Sequence, residues 1–183
     1  MTDMLYDRII GRRTVHHFET KKIDEKLVIR GLEAFVWAPN HFLSEPWRFY
    51  LIGDETKKRI IDLNTALALE KRGKSFAETK RKRWSAVPGW LLINCIKSSE
   101  ENKFLEDYAA CCCGVQNFML SMWLDGVGVK WTTGSVTRNA DFAKIIGFDV
   151  AEEMVVGLLW FGAPKVIPKQ KRSPIQERLF RLS

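Results

Sequence analysis

Residues 106–124 read Glu-Asp-Tyr-Ala-Ala-Cys-Cys-Cys-Gly-Val-Gln-Asn-Phe-Met-Leu-Ser-Met-Trp-Leu, and where this stretch sits decides where the rest of the chain must sit. It has the length of a long helix that is apolar around most of its circumference. Such a helix belongs at the centre of a molecule or in a subunit interface, not on a wetted surface. Gly126-Val127-Gly128 stops it. Beyond that stop, 129–133 reads as a short strand and 141–146 as a short helix. Residues 154–161 are almost continuously apolar and read as a strand central to its sheet. On the other side, 90–96 is a second apolar strand, joined to the long helix through the polar Glu100, Glu101 and Asn102.

Nearer the N-terminus, 24–37 is an amphipathic helix with Leu27, Val28, Gly31, Leu32, Phe35 and Val36 on one stripe. Asp24 is suited to cap it and Pro39 to end it, which leaves His41 in the loop that follows. Residues 47–52 form an aromatic and β-branched strand closed by Gly53-Asp54, and 55–69 a helix with Ile60, Ile61 and Leu63 facing a core. The basic segment after it reads as a bridge to Pro88, and 168–174, with a proline at each end, as an extended excursion. These elements make one mixed α and β domain over residues 1–183, a sheet flanked by helices. A Gly-x-Gly-x-x-Gly turn after a first strand is absent, which disfavours a Rossmann dinucleotide site.

Hydrophobic residues make up 46% and charged residues 28% of the chain, an ordinary balance for a folded soluble domain. The start of the sequence lacks a basic stretch followed by an apolar run, and no segment approaches the ~20 apolar residues of a membrane span, so a cytoplasmic location is the default. Three of the four cysteines are consecutive, Cys111, Cys112 and Cys113. Neighbours on a helix diverge by about 100°, so these thiols cannot converge on one metal ion, and they read as small core residues. The net charge of +7 gathers in Lys71, Arg72, Lys74 and the run Lys80-Arg81-Lys82-Arg83 before Trp84. A basic run beside a tryptophan is one way to bind nucleic acid, but no nucleic-acid-binding pattern surrounds it, and charge runs usually coat a surface.

Two short segments carry chemistry. Gly11-Arg12-Arg13-Thr14 offers fork-shaped donors, backbone amides and a hydroxyl to one anion. Trp37-Ala38-Pro39-Asn40-His41, running into Glu45-Pro46-Trp47-Arg48-Phe49, sets aromatic faces beside polar edges as a flat ring requires. The plain alternatives are a charged helix end and an ordinary loop between helix and strand.

With two further segments, these residues resemble the flavin-dependent nitroreductase family, in particular its short single-domain members, over nearly the whole chain. The resemblance runs through Arg12-Arg13-Thr14 with Phe18, then Ala38-Pro39-Asn40-His41 before Pro46-Trp47-Arg48-Phe49. It continues through Gly126-Val127-Gly128 before Trp131-Thr132-Thr133-Gly134, and Gly162-Ala163-Pro164 before Arg172-Ser173-Pro174. It implies an α+β, three-layer fold with a central mixed sheet flanked by helices, in an intertwined homodimer. It implies one FMN at each of two sites in the subunit interface, NADH or NADPH as reductant, and a small-molecule electron acceptor.

Carried onto this sequence, Arg12, Arg13 and Thr14 would hold the FMN phosphate and ribityl chain, with Arg172 as a second phosphate contact. His41 would touch the flavin, and Trp37 would reach the flavin of the other subunit. Trp131, Thr132 and Thr133 would lie along the isoalloxazine ring, with a backbone N–H of Thr133 or Gly134 near N5. For Trp131 core packing is the plain alternative, and for His41 a cap on the preceding helix. Thr14 stands where relatives have Ser and keeps the hydroxyl. His16 stands where many carry a cation, and Gln170 where some carry Lys, with Lys169 and Lys171 on either side. Arg48 suits either steering of substrate or a pair with a nearby acid.

The function implied is hydride transfer from NAD(P)H to FMN and on to a nitroaromatic or quinone-like acceptor in ping-pong order, with no catalytic acid or base and no metal. A flavin-binding protein without turnover is the alternative of another class. A nucleic-acid-binding protein using Lys80, Arg81, Lys82 and Arg83 is a third. Binding to nucleic acid or membrane is not expected.

Overall fold

The computed structural model describes residues 4–182. The elements follow as α1 (Met4–Gly11), α2 (Glu25–Phe35), β1 (Trp47–Leu51), α3 (Asp54–Arg72), α4 (Lys74–Ser85), β2 (Gly89–Ile96), α5 (Glu101–Leu124), β3 (Gly128–Thr132), α6 (Ala140–Ile146) and β4 (Glu153–Gly162). Short 3-10 turns lie at His41–Leu43, Ser135–Arg138 and Ile175–Arg178. The strands form one sheet in the order β1-β2-β4-β3, antiparallel throughout. The mixed character of the expected sheet is confined to one parallel bridge between Thr14 and Val129, which lays the N-terminal segment along the open edge of β3.

Alternate residues of the inner strands face opposite layers, as the two-residue period requires. Leu91, Ile93, Leu159 and Phe161 pack on one side with Phe35, Cys111, Phe118 and Met122 from α2 and α5. Trp90, Leu92, Leu158 and Trp160 pack on the other with Ile60, Ile61, Trp84 and Phe142 from α3, α4 and α6. Strand β4 is interior and buried on both faces, as its unbroken apolar run demands. α5 buries Asp107, Ala110, Cys111, Gly114, Val115, Phe118, Met119 and Met122, so the stretch that opens the sequence argument is a central element. It begins at Glu101, a turn and a half before the apolar pattern does. Asp24 caps α2 by accepting from the Lys26 amide at 3.0 Å.

The basic bridge is corrected: residues 74–85 are helical. Gly73, with φ at +79°, breaks the backbone between α3 and α4, a conformation L side chains avoid. α4 stays helical because Ala77 and Trp84, seven residues apart on one face, are buried. Trp84 meets Trp160 at 5.0 Å and Trp90 at 5.3 Å, edge to face. One ring per helix anchors the run, while its cations point outward or lie along aromatic faces. α1 is a second element the pattern did not announce, since none of its residues is buried within the chain. No helix among the described residues is long and apolar enough to cross a membrane.

Candidate functional site

The end of α1 and the start of the segment bridged to β3 bring Arg12, Arg13 and Thr14 into the lining of a cavity of about 650 Å³. Arg172, from the far end of the chain, lines the same cavity with Pro168 and Gln170, and Ile9, Ile10 and His16 complete the wall. Gly128 makes this placement possible. A Cβ there would lie 2.3 Å from a Val15 methyl, so only glycine lets the segment lie flat on β3.

No carboxylate among the described residues pairs with the arginines collected here. Nε and Nη1 of Arg12 are buried with no hydrogen-bond partner. Burial, then the charges of Arg13 and Arg172, lower the Arg12 pKa below its ordinary value. Arg13 braces the turn by donating from Nη1 to the carbonyls of Ile10 at 2.5 Å and Arg12 at 2.9 Å. Buried donors without acceptors cost about 1–3 kcal/mol each, and more when charged, so this cradle is shaped for an anion. Lys169, Gln170 and Lys171 line a neighbouring hollow with Gly11 and Arg13.

The positive field continues along β3. Lys130 Nζ sits 4.9 Å from the centroid of the Trp160 ring, and its pKa is lowered by burial and then by Arg83 and Lys80. His16 is pushed below its ordinary value by burial, then by Lys130, Arg83 and His17, which favours the uncharged ring. Lys130 and Arg83 supply positive charge beside it from a strand and a helix.

Trp131 and Thr132 are half-buried and fixed by the sheet. Trp131 Nε1 donates to the Val156 carbonyl at 3.0 Å, and Thr132 Oγ1 to the Leu158 carbonyl at 2.9 Å. The indole lies so close over Gly157 that a Cβ there would be 2.0 Å from its Nε1. Trp131 is thus both a core contact and a partly open ring at the sheet edge. Thr133 and Gly134 follow exposed, and their amides take no backbone partner among the described residues. The Gly134 carbonyl accepts from the Thr137 amide at 3.0 Å and from Thr137 Oγ1 at 2.9 Å, which rigidifies this corner.

Trp37 and His41 lie elsewhere in the chain, on neither cavity with Arg12 or Thr133. Trp37 is 86% exposed and is followed by Phe42 at 87% and Leu43 at 81%. His41 sits in a 3-10 turn with Nδ1 3.8 Å from Glu106 Oε2. It faces α5 rather than capping α2, whose end is closed by the Val36 amide on the Leu32 carbonyl and the Ala38 amide on the Phe35 carbonyl. Phe42, Leu43 and Glu45 have φ of 55°, 50° and 45°, the left-handed region. A network anchored on the buried Asp107 sets that shape: Ser44 Oγ donates to Asp107, Asn40 Nδ2 to Ser44 at 3.1 Å, and the Glu45 amide to Asn40 Oδ1 at 2.7 Å. Arg48 Nη1 donates to the Trp47 carbonyl at 3.1 Å, and the side chain makes no ion pair among the described residues.

The cysteines are free: Cys95 and Cys111 buried, Cys112 half-buried, Cys113 exposed, so the consecutive three do diverge. No group of metal-ligating side chains occurs among the described residues. In the basic run, Arg81 pairs with Asp62 at 2.6 Å and Lys80 lies 5.9 Å from the Trp84 centroid.

The model of the nitroreductase family matches residues 9–163. YfhC of Bacillus subtilis (strain 168), which carries the name of an NAD(P)H nitroreductase, is 30% identical over 181 residues, covering 96% of this chain and 92% of that protein. A crystal structure of a nitroreductase-like family protein from Bacillus cereus superposes with a TM-score of 0.87 at 31% identity, over 100% of this chain and 97% of that one. A nitroreductase of Desulfovibrio desulfuricans, solved in complex with FMN, shares the fold at a TM-score of 0.80 and 20% identity, over 100% and 99% of the two chains.

Proposed function

This chain belongs to the nitroreductase family, and from that premise we propose that it is an FMN-dependent oxidoreductase passing electrons from NAD(P)H to nitroaromatic or quinone-like acceptors in ping-pong order. The observation that carries the reading is the half-buried Arg12 guanidinium, whose Nε and Nη1 have no partner among the described residues, beside Arg13 and Arg172. A phosphate monoester with roughly −1.5 to −2 charge at pH 7 is the natural complement of that cradle.

Arg12, Arg13, Thr14 and Arg172 hold the phosphate and ribityl end in this reading. From Thr14 the bridge to Val129 leads along β3, so Trp131, Thr132 and Thr133 run beside the isoalloxazine. The free amides of Thr133 and Gly134 would place a donor near N5 without an ionisable side chain. Lys130 and Arg83 extend positive potential along the same edge. FMN supplies the chemistry, accepting a hydride from the nicotinamide and passing electrons on in a second half-reaction. For a nitro group the first round balances as nitroarene plus NAD(P)H plus H⁺, giving nitrosoarene, NAD(P)⁺ and water. The protein binds, orients and leaves room for two substrates in turn.

His41 and Trp37, which lie away from the cradle within one chain, would meet flavin through a homodimer, with Trp37 on the flavin of the partner subunit. The exposed Trp37, Phe42 and Leu43 support this, since a rigid loop with three large apolar groups in solvent is the composition of an interface.

The test is direct. The purified protein is expected to be yellow, or to become so with FMN, and to bleach anaerobically with NADH or NADPH before a nitroaromatic restores the colour. A protein that cannot be reconstituted with FMN overturns the reading. One that binds FMN but is never bleached is a flavin-binding protein without turnover.

A further inference from the structure

Past the end of β3, Thr133 also belongs to a second cavity of about 570 Å³, within the range of small-molecule sites. Its walls include Tyr108 from α5, Phe148, and Met154 at the start of β4, with Lys97 and Arg138 among the lining residues. The aromatic and thioether walls suit a flat, apolar ring. The cations among the lining suit an acid.

That charge is only partly offset from within, because Lys97 and Arg138 face a single carboxylate. Glu153, the one carboxylate lining this cavity, is engaged at both oxygens: Tyr50 Oη lies 2.9 Å from each, and Asn94 Nδ2 donates to Oε2 at 2.9 Å. Lys97 Nζ donates to the Val150 carbonyl at 2.5 Å, a neutral partner that leaves its charge uncompensated. Arg138 has no hydrogen bond or ion pair among the described residues. It projects from the turn Ser135–Arg138, which Thr137 ties to Gly134. A guanidinium on a braced turn at a cavity with aromatic walls is placed to take a carboxylate through two parallel N–H donors.

We propose that this cavity selects the electron acceptor, receiving aromatic acids with the carboxylate on Arg138 and Lys97 and the ring against Tyr108 and Phe148. This rests on the FMN reading, because Thr133, which lines the cavity, directly follows the strand along which the flavin is laid. The acceptor's electron-poor end then emerges at Thr133, beside the reactive part of the ring.

The experiment uses the FMN-loaded protein with NADPH and two nitro compounds of similar size, 4-nitrobenzoate and the neutral 4-nitrobenzyl alcohol. Wild-type protein is expected to show the lower KM for nitrobenzoate. In Arg138→Gln the nitrobenzoate-to-alcohol ratio of kcat/KM is expected to fall roughly tenfold, through KM rather than kcat, with partial recovery in Arg138→Lys. Equal KM values in the wild type, or an unchanged ratio in Arg138→Gln, overturn the proposal. So does a rise in the KM of NADPH in place of nitrobenzoate, which would give the cavity to the reductant. Should neither compound be reduced, the oxidoreductase reading fails and the cavity is judged alone by nitrobenzoate quenching of tryptophan fluorescence. Saturable quenching that weakens about tenfold in Arg138→Gln upholds the carboxylate site, and its absence sinks it.

Discussion

Arg12 concentrates the argument at the residue scale, because its guanidinium is the buried group whose hydrogen-bonding capacity the chain leaves unused at the cradle. Replacing it by Gln removes the charge and most of the fork. The FMN dissociation constant is expected to rise roughly 10- to 100-fold, the worth of one to two charge-assisted hydrogen bonds, when followed by flavin fluorescence. Riboflavin, which lacks the phosphate, should bind the variant and the wild type alike. Gly157 makes the opposite kind of point. A methyl there must displace the Trp131 indole, so Gly157→Ala is expected to cost about 1–3 kcal/mol in denaturant unfolding and to alter the tryptophan near-UV signal. His16 is a residue whose reading changes with the structure: burial, then Lys130, Arg83 and His17, lower its pKa and favour the uncharged ring.

At the scale of elements, Tyr50 on β1, Asn94 on β2 and Glu153 on β4 join three strands through one carboxylate. Burial first, and then the bond to Glu153, push the Tyr50 hydroxyl up to about 12. Since that exceeds the ordinary value near 10, the stabilisation is complete below pH 10 and is lost as the pH rises through about 12. Tyr50→Phe is therefore expected to lower unfolding stability by about 1–2 kcal/mol at pH 8, with the deficit narrowing above pH 10 in denaturant titrations. Elements with a clean period were legible from sequence: α2, β1, β2, β4 and the apolar part of α5 carry theirs in large side chains. α4 was not, because its helical face is spelled by Ala77 and Trp84 amid cations, and α1 was not, because it buries nothing within its own chain. The site divides in the same way. Arg12, Arg13 and Thr14 are readable as an anion motif because they are contiguous, whereas Arg172 joins them only through the course of the tail. Lys130 and Arg83 become visible only when strand and helix are packed.

At the scale of the whole molecule, apolar surface remains in places one chain does not cover. Leu5, Ile9 and Ile10 on α1 are at least 45% exposed, as are Trp37, Phe42 and Leu43 in the strained loop, and Phe180 and Leu182 in the tail. These faces fit the proposed homodimer. Phe42→Glu with Leu43→Glu is expected to yield a monomer by light scattering and, if flavin sites need both subunits, to lose FMN in the same step. The cradle of Arg12, Arg13 and Arg172 has one further consequence. Cations that repel one another in the empty protein are relieved when an anion arrives, so cofactor binding and folding draw on the same free energy. At FMN concentrations 100 times the dissociation constant the gain is about 2.7 kcal/mol, a large part of a typical domain's stability. Thermal unfolding should then shift upward with added FMN, and unloaded copies should be the first lost to proteases. Flavin supply would thereby set how much of this protein a cell retains, as well as how much of it works.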